Sequence, residues 1–124
     1  MSKLPKKSTV KNKLDKLVGD YFRSKRSCCA KGTFDVRCAG RIEWAHIHSR
    51  KYLSTRWDLD NGLNLCSAHH FYFHQNPTHF VEWLKKDRSN QYQRLEQKFR
   101  TVKPMGVIEM MELYTELEQK IRTN

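Results

Sequence analysis

The sequence predicts an α+β fold in which two short strands and a helix form a small centre flanked by helices at both ends. Three observations lead there. Apolar residues recur at helical spacing near the N-terminus, at Leu14, Leu17, Val18, Tyr21 and Phe22, and again over the last third of the chain. Between them, Ile42 to His48 and Leu63 to Leu65 read as short strands. The stretch from His46 to His74 then gathers five of the six histidines, two aspartates, two asparagines and a cysteine into 29 residues. A purely structural core does not need that density of proton-accepting and metal-ligating groups.

Length and composition bound the answer. A chain of 124 residues fits one small domain with a limited core, which a metal staple would help. Hydrophobic residues make up 38% and mean hydropathy is −0.83, and no run approaches the roughly 18 apolar residues that span a bilayer, so no membrane segment is expected. The segment Met1 to Leu17 is basic but has no apolar signal core, which predicts a cytoplasmic protein. In a reducing compartment four cysteines mixed with histidines point to metal rather than to disulfides. The net charge of +11 favours an anionic partner, because each phosphate met by Lys or Arg releases counterions. Residues 1–26 carry nine Lys/Arg against two acids and residues 85–103 seven against two, while the last 21 residues carry two against four.

Taken in order, residues 1–26 form a basic arm and an amphipathic helix. Met1 to Thr9 is polar and proline-broken, and Val10 to Ser24 is the helix. Residues 27–84 make the central unit. Cys28 or Cys29, with Cys38, offers the first half of a zinc knuckle, and the Cys66-Ser-Ala-His69 turn has the spacing that lets one turn present two ligands. Vicinal cysteines rarely bind one ion together, so Cys28 and Cys29 are alternatives. Ile42 to His48, if extended, places Trp44, His46 and His48 on one face and Glu43, Ala45 and Ile47 on the other, with the His46 face looking into the cleft. In the loop that follows, Arg50, Lys51 and Arg56 are candidates to meet phosphates, and Trp57 anchors the loop in the core. Asp58 to Gly62 is turn chemistry, in which Asn-Gly can adopt positive φ.

A helix from His69 to about His74 points His70 and His74, four residues apart, the same way, while Phe71 and Phe73 pack inward. Pro77 keeps that helix short, Thr78 caps the next, and Phe80, Val81, Trp83 and Leu84 close over the core. His79 is expected at the surface. Residues 85–124 are C-terminal helices: Ser89 to Arg100, then a stripe of Val107, Met110, Met111, Tyr114, Leu117 and Ile121. The last helix folds back on the first or pairs with another copy, giving a monomer or a homodimer.

The order His46, Asp58-Leu-Asp60-Asn61, Cys66-Ser-Ala-His69-His70, His74 resembles the signature of the HNH endonucleases, over roughly residues 28 to 84. It is most similar to small phage-type members with His-Ser-Arg followed by Arg-Trp-Asp-x-x-Asn. The resemblance implies a ββα-metal core and cleavage of DNA, by nicking or double-strand cutting, in a bacterial host cell. His46 would be the general base, Asn61 the residue whose amide pins the loop carrying it, and His70 and His74 the ligands of one catalytic divalent ion, Mg, Mn, Ni or Zn. Two departures stand out. A Cys-x-x-Cys pair is commoner in the first half of the knuckle, and many relatives have a metal-binding Asp or His where this chain has Ala45, leaving His48 or Asp58 as substitutes. The competing expectation is a non-catalytic, zinc-stabilised nucleic-acid-binding module.

Overall fold

A two-stranded sheet this short cannot stand alone in water, and the whole chain is arranged to cover it on both faces. The computed structural model describes residues 3–101 and 103–123. The elements run α1 (Lys7–Arg23), β1 (Ile42–His46), α2 (Leu53–Arg56), a 3-10 turn (Leu59–Asn61), β2 (Gly62–Cys66), α3 (Ser67–Gln75), α4 (Pro77–Asp87), α5 (Ser89–Arg100) and α6 (Val107–Thr123). The strands are antiparallel, from Ile42 opposite Cys66 to His46 opposite Gly62.

Period two sorts the sheet into two cores. On one face Ala45, Leu63 and Leu65 pack with Phe73 of α3 and Trp83 and Leu84 of α4. On the other, Trp44 joins Val10, Leu14, Val18 and Phe22, one stripe of α1, together with Trp57 and with Met110 and Leu117 of α6. The final helix therefore folds back on the first. No described helix is long and apolar enough to cross a membrane.

The boundaries differ from the sequence pattern for identifiable reasons. Helix α1 begins at Lys7, three residues before the expected start, so the arm with described structure is only Lys3 to Lys6; Met1 and Ser2 lie outside the described residues. Strand β1 ends at His46 rather than His48, because the Asn61 side chain, not a strand partner, takes both backbone groups of His48. Asn61-Gly62 is not a positive-φ turn: Gly62 has φ −110° and opens β2. A glycine is required there because the Phe22 ring occupies the space a Cβ would fill. Pro77 does more than stop α3, since it is the first residue of α4, whose N-cap is Asn76 rather than Thr78. Phe71 does not pack inward. It is 67% exposed, because the α3 face that meets the core carries His69 and Phe73.

The α1 stripe buries Val10, Leu14, Val18 and Phe22, with Leu14 fully enclosed. Replacing Leu14 by Ala leaves a cavity between α1, α6 and Trp57 and lowers stability by about 2–5 kcal/mol, measured by urea unfolding.

Candidate metal centre and histidine cleft

The segment between α1 and β1 turns sharply at Gly32 (φ 82°), Phe34 (57°), Asp35 (53°) and Gly40 (81°). Holding a side chain in the left-handed region costs on the order of 1–3 kcal/mol, so Phe34 and Asp35 need compensating contacts. Phe34 finds one by stacking on His79, 5.3 Å between ring centres, and another edge-on against Phe73. His79 thus belongs to an aromatic cluster. Gly40 also approaches the start of α3 so closely that a Cβ would lie 2.6 Å from Ser67.

These turns carry Cys28 and Cys38 to Cys66 and His69. The four ligand atoms all lie within 4.8 Å of one another, close enough to hold a metal ion. Cys66 is the N-cap of α3, and its sulfur accepts from the His69 N–H at 3.4 Å. The His69 ring donates from Nε2 to the Thr33 carbonyl at 3.4 Å, which leaves the Nδ1 lone pair facing the Cys66 and Cys38 sulfurs at 3.3 and 3.6 Å. Burial raises the Cys66 pKa, but hydrogen bonds from the backbone, that of the His69 N–H foremost, outweigh it and bring the thiol down to about 6. Burial and the neighbouring thiols push Cys38 up to about 11. One thiolate is therefore ready at neutral pH, and loading the rest releases protons. Three sulfurs and an imidazole suit a soft or borderline cation.

The choice between the vicinal cysteines falls on Cys28. Cys29 donates its backbone N–H to the Asn64 carbonyl at 2.9 Å and its side chain lines a different hollow, where burial pushes the thiol to about 11.

The second cluster lies along α3. His70 donates from Nδ1 to the Glu43 carboxylate at 2.8 Å, and Ser67 Oγ donates to the other carboxylate oxygen at 3.2 Å. That bond fixes the tautomer, so the His70 lone pair is on Nε2, 3.3 Å from His74 Nε2. Two ring nitrogens so placed can converge on one cation and leave its other positions open. Glu43 was not among the sequence candidates. The signal for it was present, since period two places it on the Ala45 face of β1, the face that meets α3. Ala45 itself is in the core at 2% exposure and supplies nothing. The suggested substitutes are engaged elsewhere: His48 Nε2 bonds Glu96 at 2.5 Å with its ring stacked on Phe99, and Asp58 caps Asp60 and pairs with Lys98.

His46 ends β1 with its ring 4.3 Å from that of Trp44. Its Nε2 donates to the Arg56 carbonyl at 3.2 Å, so the lone pair is on Nδ1. Burial, helped by the Arg50 and Arg56 charges, drops its pKa to about 4, and the ring is neutral at physiological pH. His46 faces α1 through Trp44, yet as the last strand residue it also borders a hollow of about 200 Å³ lined by His70 and His74. Asn61 is fully buried; its Oδ1 accepts from the His48 N–H at 2.7 Å and its Nδ2 donates to the His48 carbonyl at 3.2 Å.

Arg50 and Lys51 are exposed on the loop after β1. Arg56 differs from them in being engaged within the chain: its fork is closed on Asp15 at 3.0 and 2.7 Å and its third arm on the Arg50 carbonyl at 3.1 Å. Trp57 Nε1 donates to the same Asp15 at 2.8 Å. Burial raises the Asp15 pKa, but these bonds hold its carboxyl below the usual range. Asp15 was invisible as a partner in the sequence, since it lies 41 residues from Arg56.

Searches of protein-family models, curated proteins and solved structures found no match to this chain.

The metal centre makes a discriminating prediction. Cys28→Ser and Cys66→Ser lose bound metal and show a lower thermal midpoint, whereas Cys29→Ser keeps its metal, as measured by elemental analysis and by thiolate-to-cobalt absorption after reconstitution.

Proposed function

We propose that this chain is a metal-dependent endonuclease that hydrolyses DNA phosphodiester bonds, by nicking or double-strand cutting, as its resemblance to the HNH endonucleases implies. The observation that carries the reading is the convergence of His70 and His74 at 3.3 Å, backed by Glu43, in the hollow that His46 also borders. A divalent ion held by that pair would neutralise charge on the scissile phosphate and the leaving oxygen. His46 supplies a neutral imidazole whose Nδ1 accepts a proton from the attacking water. The Arg56 carbonyl holds the ring from behind, and Asn61 braces the backbone two residues on. Arg50 and Lys51 meet flanking phosphates. The centre of Cys28, Cys38, Cys66 and His69 takes zinc and is structural, since all four protein ligands are filled and no position is left for substrate.

A second reading is favoured by one observation. Ala45 removes a ligand found in many relatives, and a chain that held its ion too weakly would be a zinc-stabilised module that binds nucleic acid without cutting it.

Cleavage of supercoiled plasmid by metal-stripped protein, with Mg, Mn, Ni or Zn restored, separates the two. The nuclease reading expects metal-dependent nicking, a loss of about 100- to 10,000-fold in His46→Ala, and loss in His74→Ala. Binding without cutting under every metal favours the module. The pH dependence has a definite sign. His46 works as the free base and its pKa is depressed to about 4, so kcat/KM falls on acidification through about pH 4 and shows no His46 limb near 6.5. An acid limb at 6.5 that disappears in His46→Ala would contradict the burial of this ring.

A further inference from the structure

His46, which borders the hollow of His70 and His74, has concave surface on its α1 side as well. Beyond the ring lies a second hollow, about 340 Å³, between α1 and the loop after β1, with Lys16, Arg23 and Arg50 on its walls. Two of its wall residues, Arg23 and Trp44, also line a third hollow of about 640 Å³ that reaches Arg41 ahead of β1. The three concavities therefore share walls in sequence, first His46 and then Arg23 and Trp44.

The charges along this furrow favour an anion. Its carboxylates are already engaged: Asp15 by Arg56, Glu43 by His70, and Asp20 by Lys16 at 2.9 Å; Arg23 touches Asp20 through one nitrogen only, at 3.2 Å, in an exposed pair that leaves the rest of its fork open. The guanidinium groups of Arg50 and Arg41, one in each outer hollow, make no hydrogen bond or ion pair among the described residues, and both residues are exposed. Free forks in adjoining concavities suit successive phosphates, and the Trp44 indole offers an apolar wall to sugar or base.

We propose that this furrow is the path of the DNA strand beyond the histidine cleft, with its phosphates meeting Arg50, Arg23 and Arg41 in turn. The inference rests on the nuclease reading and extends it. Helix α1 becomes part of the DNA surface as well as a wall of the core, and the footprint reaches well past the cleaved bond on the α1 side.

The test compares Arg23→Gln/Arg41→Gln with Lys31→Gln/Lys86→Gln, which removes the same charge from exposed positions lining none of the three hollows. Binding to a short labelled duplex, and to one of its strands, is followed by anisotropy in magnesium-free buffer across a range of salt. The furrow pair weakens binding about tenfold and reduces the salt slope by about two on duplex, while the control pair changes affinity less than about threefold. Equal weakening by the two pairs overturns the furrow and leaves the DNA reading intact; no binding of either DNA form by the wild-type protein overturns both. Arg41→Gln alone removes a side chain with no bonded partner, so it remains informative if the double variant fails to fold. It lowers the slope by about one, and an unchanged slope counts against the path.

Discussion

Five residues in each of two strands cannot bury enough surface to persist alone, and this limit governs the rest of the molecule. Each face of the hairpin needs its own cover. The face bearing Ala45, Leu63 and Leu65 receives α3 and α4, while the face bearing Trp44 receives α1, with α6 laid against it. The strands are thus the shared wall of two small cores. A side chain at the end of β1 is consequently near both, which is how His46 comes to border a hollow on the α3 side and another on the α1 side.

The same economy appears in how the imidazoles are held. His69 donates to the Thr33 carbonyl, His70 to Glu43 and His46 to the Arg56 carbonyl, and in each case the remaining nitrogen is left as the acceptor. These partners come from a loop, a strand and a short helix. The ring orientations therefore depend on packing far beyond the histidine-rich stretch itself. Asp15 illustrates the reach of this dependence. It holds Arg56 and Trp57, and through the Arg56 backbone it steadies the group that orients His46.

The four candidate metal ligands and the hairpin share a residue, Cys66. Cys66 closes β2 and caps α3, so a ligand of the centre also joins the sheet to the helix that carries His70 and His74. On the other side of the centre, the loop with Cys28 and Cys38 is held to α3 by backbone bonds from Ser67 and Ala68 to the Arg41 and Ala39 carbonyls. A metal there would bind the left-handed turns at Phe34 and Asp35 into the same unit.

Local pattern determined much of this. The helical stripe of α1, the span of α5 from Ser89 to Arg100, the direction shared by His70 and His74 and the Cys66-x-x-His69 turn all follow from periodicities of 3.6 and from ligand spacing. Burial of Trp57 was legible for a different local reason, as a large apolar residue in an otherwise polar loop. Tertiary structure alone decided which vicinal cysteine joins the centre, that Glu43 backs His70, that Arg56 is closed on Asp15, and that Phe71 faces outward while Phe73 is buried. The physical reason is sequence separation. A helix or turn is specified by neighbours within about four residues, whereas Glu43 and His70 are 27 residues apart and Asp15 and Arg56 are 41. Such partners meet only after both faces of the hairpin have been covered.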